Sequence, residues 1–391
     1  MTDVGEAPPG TATVAPDRRR ASSATTGGGA ARVAPLCVGV VGGGFMGRVH
    51  TAAARAAGAH VVAVASSGPD SAARAADALG VATAHESVQD LLDDPGVDVV
   101  HVCAPNSVHA ELALAALAAG KHVVCEKPLA VSAVEADALV RAAAAAGTVA
   151  AVPFVYRYHP MVREARARVA SGATGRVLSV RGSYLQDWLL EVDDVDWRVD
   201  SAAGGPSRAF ADIGSHLVDL LEFVLGDRIA SVSAVLDRVH DVRGGRAVDT
   251  EDEAGVVFRT TAGAIGTVFV SQVAPGRKNR LLVDVAGTAE SLEFSQEEPD
   301  RLWVGRRLGS VVVPRDAALL APDAARLSTL PAGHPMGYLD AFTAFVRDVH
   351  DAVRGGEPEG LPRFDDGRRA VVVTESVLLA AAERRWVDVP T

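Results

Sequence analysis

Three polar side chains stand where this chain could do acid–base chemistry. Lys127, within Glu126-Lys127-Pro128, follows directly on His122-Val123-Val124-Cys125. A charged pair at the carboxyl end of a buried strand is costly unless it is satisfied or used. A lysine there can hydrogen-bond a substrate hydroxyl, and it titrates readily when partly desolvated. A solvated Glu-Lys surface turn is the plain alternative. Asp212 and His216 come after a glycine-rich lead-in, Gly204-Gly205-Pro206. If 212–225 is helical, the two stand one turn apart on one face. A carboxylate beside a histidine can orient the ring and stabilise its protonated form. Asp212 could equally cap the helix.

A second chemistry is written in Gly42-Gly43-Gly44-Phe45-Met46-Gly47. The apolar run 36–41 precedes it and an alanine-rich helical stretch follows. Strand, GxGxxG turn and helix make a dinucleotide-binding fingerprint. Gly42 permits the tight turn, Gly44 lets backbone approach a pyrophosphate, and Gly47 lets helix and strand pack closely. The helix start offers unpaired N–H groups to the phosphates. The acid expected about 20 residues on, for an NAD ribose, is missing. The second strand instead ends in Ser66-Ser67-Gly68, and the first acid is Asp70. No arginine precedes Arg74 to meet a 2′-phosphate. NAD is therefore the expected cofactor, with NADP still compatible. Cys103-Ala104-Pro105-Asn106 ends another strand, and Asn106 or Ser107 can cap the helix after it.

The elements that must position these residues fall into two halves. Strands at 36–41, 60–65, 98–103, 122–125 and 149–153 alternate with helices at 46–57, 69–79, 87–92, 108–119 and 132–146. That alternation predicts a doubly wound parallel sheet, with ligands at the carboxyl ends of its strands. Segments 176–187, 229–240, 253–260, 264–272, 279–285 and 290–295 read as a mostly antiparallel sheet. Helices are expected at 160–170, 212–225, 337–354 and 366–384. Residues 1–34, rich in Gly, Ala, Ser, Thr and Pro, read as a disordered tail. Arg18-Arg19-Arg20 is not followed by the apolar stretch an export signal needs. A net charge of −11 over 391 residues argues against nucleic acid and anionic membrane as partners. Cys37, Cys103 and Cys125 lie in apolar runs without metal spacing, so reduced core cysteines in the cytoplasm are expected and no metal site.

GVVGGGFMGRVH (39–50), CAPNSVH (103–109), CEKPLA (125–130) and DIGSHLVDL (212–220) together resemble the Gfo/Idh/MocA oxidoreductases. Order and spacing agree from about Leu36 to the C-terminus. The resemblance implies an α/β fold: a Rossmann domain at 35–154, then an α/β domain at 155–391 with a large, mostly antiparallel open sheet. That sheet would form the interface of a homodimer or homotetramer. It implies Lys127, Asp212 and His216 as the catalytic set. It implies cofactor contacts from Gly42, Gly44, Phe45, Met46, Gly47, Ser66, Ser67, Pro105, Asn106, His109, Glu126 and Lys127.

SYLQDWLL (183–190), DWR (196–198) and LPAGHPMGY (330–338) are similar to the levoglucosan dehydrogenase-like branch. That branch includes glycoside 3-dehydrogenases and relatives in aminoglycoside and deoxysugar pathways. The candidate substrate contacts are Tyr156, Arg157, Gln186, Trp188, Trp197, Arg198 and His334. Aromatic faces suit the C–H patches of a sugar, and polar groups fix its hydroxyls. The implied reaction is hydride transfer between NAD(P) and a secondary hydroxyl of a sugar, glycoside or cyclitol, with C3 preferred. Lys127 and His216 can exchange the role of base. The alternatives are an NAD-dependent glycoside hydrolase working through transient C3 oxidation, and a noncatalytic NAD sensor. The sensor is disfavoured by the presence of all three polar residues.

Overall fold

A computed structural model describes residues 34–391. The tail expected over 1–34 lies, but for Ala34, outside them. Strands β1 (Cys37–Val41), β2 (His60–Ala65), β3 (Thr83–Ala84), β4 (Val99–Val102), β5 (His122–Cys125) and β6 (Ala150–Ala151) form one sheet, in the order β3-β2-β1-β4-β5-β6. Every pairing in it is parallel. Helices α1 (Phe45–Ala56), α2 (Pro69–Leu79), α3 (Val88–Asp93), α4 (His109–Ala118) and α5 (Ala133–Ala146) alternate with the strands. The near-continuous Val and Ala content of β1, β2 and β4 suits strands covered on both faces. Local signals set the helix starts: Pro69 opens α2, and Ser87 with Asp90 makes a reciprocal capping box for α3. Strand order reverses between β1 and β4, which opens a crevice at their carboxyl ends. The expected cap at Asn106 or Ser107 is absent; a 3-10 turn, Asn106–Val108, leads into α4 instead.

Helix α6 (Pro160–Ala170) leads into the second sheet. Its strands are β7 (Val177–Leu185), β8 (Ile229–Asp237), β11 (Glu253–Thr260), β12 (Ile265–Ser271), β13 (Arg280–Gly287), β14 (Ser291–Ser295), β15 (Arg301–Arg306), β16 (Gly309–Pro314) and β17 (Val387–Asp388). Their order is β16-β15-β14-β13-β7-β12-β11-β8-β17. All neighbours are antiparallel except β7 and β12, which run parallel. A separate hairpin pairs β9 (Val242–Arg243) with β10 (Arg246–Ala247). Period-two patterning is clear in β11, where Ala254, Val256 and Phe258 are buried and Val257 is exposed. β15 and β16 escape the sequence reading; β16 is an edge strand exposed along nearly its whole length, so no burial pattern marks it.

The remaining helices are α7 (Ser201–Gly204), α8 (Ser215–Leu225), α9 (Pro322–Leu327), α10 (Tyr338–Val353) and α11 (Phe364–Glu383). The buried faces of α6, α8 and α11 share a core with the second sheet. α10 does not stay there. Phe342, Phe345, Val346 and Val349 join Val38, Val40, Ala53 and Val99 in one cluster against the first sheet. Burying a phenylalanine fully is worth about 1.5–3 kcal/mol, so Phe342 and Phe345 bind α10 firmly to α1. Among the described residues no helix is long and apolar enough to cross a membrane. The cysteines form no disulfide; only Cys125 is buried, while Cys37 and Cys103 are half-buried, contrary to the expectation of three core thiols. Cys37 opens β1 at the sheet's lower end, and Cys103 has left β4 for the crevice.

Candidate active site

A cavity of about 850 Å³ follows the carboxyl ends of the first sheet. It runs from Gly42–Met46 past Ser66 and Ser67, along Cys103–His109, to Glu126 and Lys127, and ends at Asp196, Trp197 and Arg198. The glycine-rich turn meets the requirements of a dinucleotide. Gly42 has φ +105°, and a Cβ there would meet Cys103 O at 2.5 Å; a Cβ at Gly47 would meet Gly42 O at 2.1 Å. Those two glycines are needed by the protein itself. A Cβ at Gly44 would meet nothing within 4 Å. Gly44 begins α1 without a side-chain cap, and the first turn carries no acid. The open space and the free N–H groups therefore suit an anion at that helix start.

Asn106 donates through Nδ2 to Gly204 O at 2.9 Å, tying the crevice loop to α7. His109 is buried, with Nδ1 2.8 Å from Pro128 O and Nε2 2.9 Å from Ala104 O. It braces two strand-end loops, so its polar atoms are not free for a cofactor as expected.

At the far end, Lys127 Nζ donates to Asp212 Oδ1 at 2.5 Å and to Asp212 O at 2.9 Å. Gln272 Nε2 donates to Asp212 Oδ2 at 2.8 Å. Arg198 stacks on Trp197, bonds Asp196, and places Nε 3.7 Å from Asp212. Burial pushes the Asp212 carboxyl up, but Lys127 and Arg198 outweigh it and hold the group at about 2. Asp212 sits in a π-helical turn, Phe210–Gly214, ahead of α8. The expected regular helix is thus widened where it enters the site, a recurrent feature of functional positions.

That turn overturns one expectation. Asp212 does not hydrogen-bond His216: its carboxylate serves Lys127 and Gln272. His216 Nδ1 is buried with no partner. The ring is held by aromatic edges instead, with Tyr156 at 5.2 Å and Phe154 at 5.8 Å between centroids. Burial, then the charge of Lys127, pushes the imidazole down to about 3, so it is neutral at pH 7.

The expected substrate residues divide. Trp197 and Arg198 line the cavity. Tyr156, Tyr184, Asn279, Gln186 and Trp188 form one hydrogen-bonded chain beside His216: Tyr156 OH to Tyr184 OH at 2.5 Å, Tyr184 OH to Asn279 Oδ1 at 2.7 Å, Gln186 Nε2 to the same oxygen at 2.9 Å, and Trp188 Nε1 to Gln186 Oε1 at 2.8 Å. Arg157 does not belong to the site. It is buried, donates through Nε to Asp219 Oδ2 at 2.8 Å, and also bonds Asp366. His334 is exposed in a loop, where its carbonyl accepts from Arg315, and it does not line the cavity. Sequence reasoning missed Gln272 and Asn279. Both flank strand ends of the second sheet, just after β12 and just before β13, and that placement was the available signal.

Comparison with known proteins identifies the family. Residues 36–154 match the model for the oxidoreductase family with an NAD-binding Rossmann fold, and residues 162–293 match the GFO/IDH/MocA C-terminal domain. The chain is 34% identical to levoglucosan dehydrogenase of Pseudarthrobacter phenanthrenivorans, over 91% of this chain and 98% of that one. The chain belongs to the Gfo/Idh/MocA family of oxidoreductases. Another relative, myo-inositol 2-dehydrogenase of Thermotoga maritima, is 25% identical over 90% of this chain and 97% of that one. A levoglucosan dehydrogenase solved with NADH and levoglucosan superimposes with a TM-score of 0.85 at 32% identity, covering 91% of this chain and all of that one. The glycine-lined end of the cavity lies within the residues matched by the NAD-binding family, and is expected to take the cofactor. Gly44→Val tests it. With open space around Gly44 the variant keeps its melting temperature, and NADH affinity by titration calorimetry falls at least about tenfold, because the side chain fills the pyrophosphate cradle. Unchanged affinity would detach the turn from cofactor binding.

Proposed function

We propose that this enzyme oxidises a secondary hydroxyl of a sugar, glycoside or cyclitol, with C3 the preferred position. The observation that carries the reading is Lys127, which lines the dinucleotide cavity, paired with Asp212 and near enough to a neutral His216 to act on it through its charge. Bound NAD supplies the hydride acceptor. Asp212 holds Lys127 Nζ in place by accepting from it, and the lysine's remaining N–H is a hydrogen-bond donor to the substrate oxygen. His216, held neutral, is the acceptor for the hydroxyl proton. Asp212 acts on His216 through its charge and through Lys127, without a direct bond. Trp197 offers an aromatic face and Arg198 a donor at the Lys127 end of the cavity. Ser66 and Ser67 line the ribose end with no arginine beside them, which supports NAD over NADP.

The exposed face of the second sheet carries Val257, Ile265 and Phe269, an apolar surface suited to a second copy of the chain in a homodimer or homotetramer. The reading places the reaction in the cytoplasm, where the free thiols stay reduced.

The test is a panel of sugars, glycosides, cyclitols and aminoglycosides, each offered with NAD and with NADP and followed at the NADH absorbance band. The expected result is NAD reduction by a neutral polyol without release of an aglycone, at a higher kcat/KM than with NADP. Aglycone release without net NADH would replace the dehydrogenase by the hydrolase reading.

A further inference from the structure

Behind Lys127 lies a buried polar column that this chemistry does not use. Glu126 is 5% exposed. Its Oε2 accepts the main-chain N–H of Lys127 at 3.1 Å, and its Oε1 stands 2.8 Å from His50 Nε2. His50 Nδ1 is 2.9 Å from His101 Nδ1. Both imidazoles are fully buried, and the ring of Phe342 from α10 packs edge-on against His50 at 4.7 Å. The neighbours of His101 on β4 are Val99, Val100 and Val102. Polar rings in such a place are costly unless they serve something.

The chemistry of the groups fixes the Glu126 end of the column. Burial pushes the Glu126 carboxyl up, but the His50 hydrogen bond and nearby positive charge bring it below its ordinary value, so it is ionised. An ionised carboxylate only accepts, so His50 donates from Nε2. Burial, with His50 alongside, pushes His101 well below the usual imidazole range, so it is neutral. The Nδ1 atoms of His50 and His101 share one proton between them, so each ring fixes the other's orientation. The column ends at His101 Nε2, which is buried without a partner.

We propose that His50 and His101 are positioning residues, which fix the Glu126 carboxylate so that it holds the main chain of Lys127 at the substrate oxygen. The inference rests on the proposed reading of Lys127 for its effect on turnover, but not for its effect on the local structure.

The test uses His50→Leu and His50→Gln in the full chain, with two readouts. Hydrogen exchange of the segment 125–130 needs no substrate. Turnover uses a substrate found by the panel. His50→Leu is expected to speed Lys127 amide exchange and to lower kcat, each by about tenfold or more, what a hydrogen bond to a charged group is worth. NADH affinity stays within about threefold, since the glycine-rich turn is untouched. His50→Gln, whose amide can donate to Glu126, restores both readouts to within about threefold. Wild-type exchange in His50→Leu, or a His50→Gln variant as impaired as His50→Leu, would overturn the proposal. If His50→Leu does not fold, His101→Val takes its place on a valine-rich strand. A smaller change in the same direction supports the column, and unchanged exchange overturns it. Should the wild type turn over no polyol while exchange responds as expected, the dehydrogenase reading fails and the column stands.

Discussion

Lys127→Ala and His216→Ala will each lower kcat/KM by about two to four orders of magnitude, the range general acid–base groups supply. NADH affinity will change little, because the pyrophosphate end of the cavity is built from Gly42–Met46 and lies away from both side chains. The two losses will not multiply. If Lys127 and His216 act on one proton of one hydroxyl, the double variant is far less damaged than the product of the singles. Asp212→Asn will fall between these and the wild type. It keeps the shape and one acceptor for Gln272 but gives up the charge that pairs with Lys127. Steady-state kinetics on the four variants decide the assignment. Near-normal turnover in His216→Ala would pass the base to Lys127. Near-normal turnover in both single variants would sink the mechanism.

A large effect on stability will come from Arg157→Ala. The guanidinium is 7% exposed and joins Asp219 on α8 to Asp366 on α11. Removing it leaves the buried Asp219 carboxyl, which burial holds up at about 7 even beside Arg157, without its donor. Breaking a buried pair from one side costs about 3–5 kcal/mol where the remaining group stays charged. The loss is therefore expected in full above pH 7 and is smaller below it, where Asp219 takes up a proton. The denaturation midpoint will drop accordingly, and removing the Asp219 charge as well, as in Arg157→Met/Asp219→Asn, will recover part of the loss. Below the midpoint the folded variant will keep its KM for the polyol. An unchanged midpoint with a raised KM would return Arg157 to the substrate contacts.

Arg157 also shows where reading the chain stops. Its neighbours in sequence, Tyr156 and Tyr158, say nothing of Asp219 and Asp366, which only the tertiary fold brings to it. The first sheet was legible because its buried strands are apolar runs closed by a turn residue, and β3, whose two residues are both exposed, was not. The glycine turn and Lys127 were legible because strand ends of a parallel sheet converge on one crevice. The relation of Asp212 to His216 was misread because four residues span a turn only in an α-helix, and here a π turn intervenes. Gln272 and Asn279 lay hidden because amides at strand ends carry no spacing of their own. His334 has the residue type of a sugar contact, but its loop carries it out to solvent.

The return of α10 to the first sheet has a consequence for how the protein is made. Phe342 and Phe345 fill the same core as Val38 and Val40, yet about three hundred residues separate them in the order of synthesis. Chains leave the ribosome N-terminus first, and domains generally fold as units as they emerge. Here the nucleotide-binding half cannot close behind the ribosome, because the faces of α1 and β1 wait, uncovered, for a helix still to be translated. The nascent chain therefore displays an apolar surface through most of its synthesis, which makes it a natural client for chaperones. A fragment cut near residue 154 would expose that surface permanently.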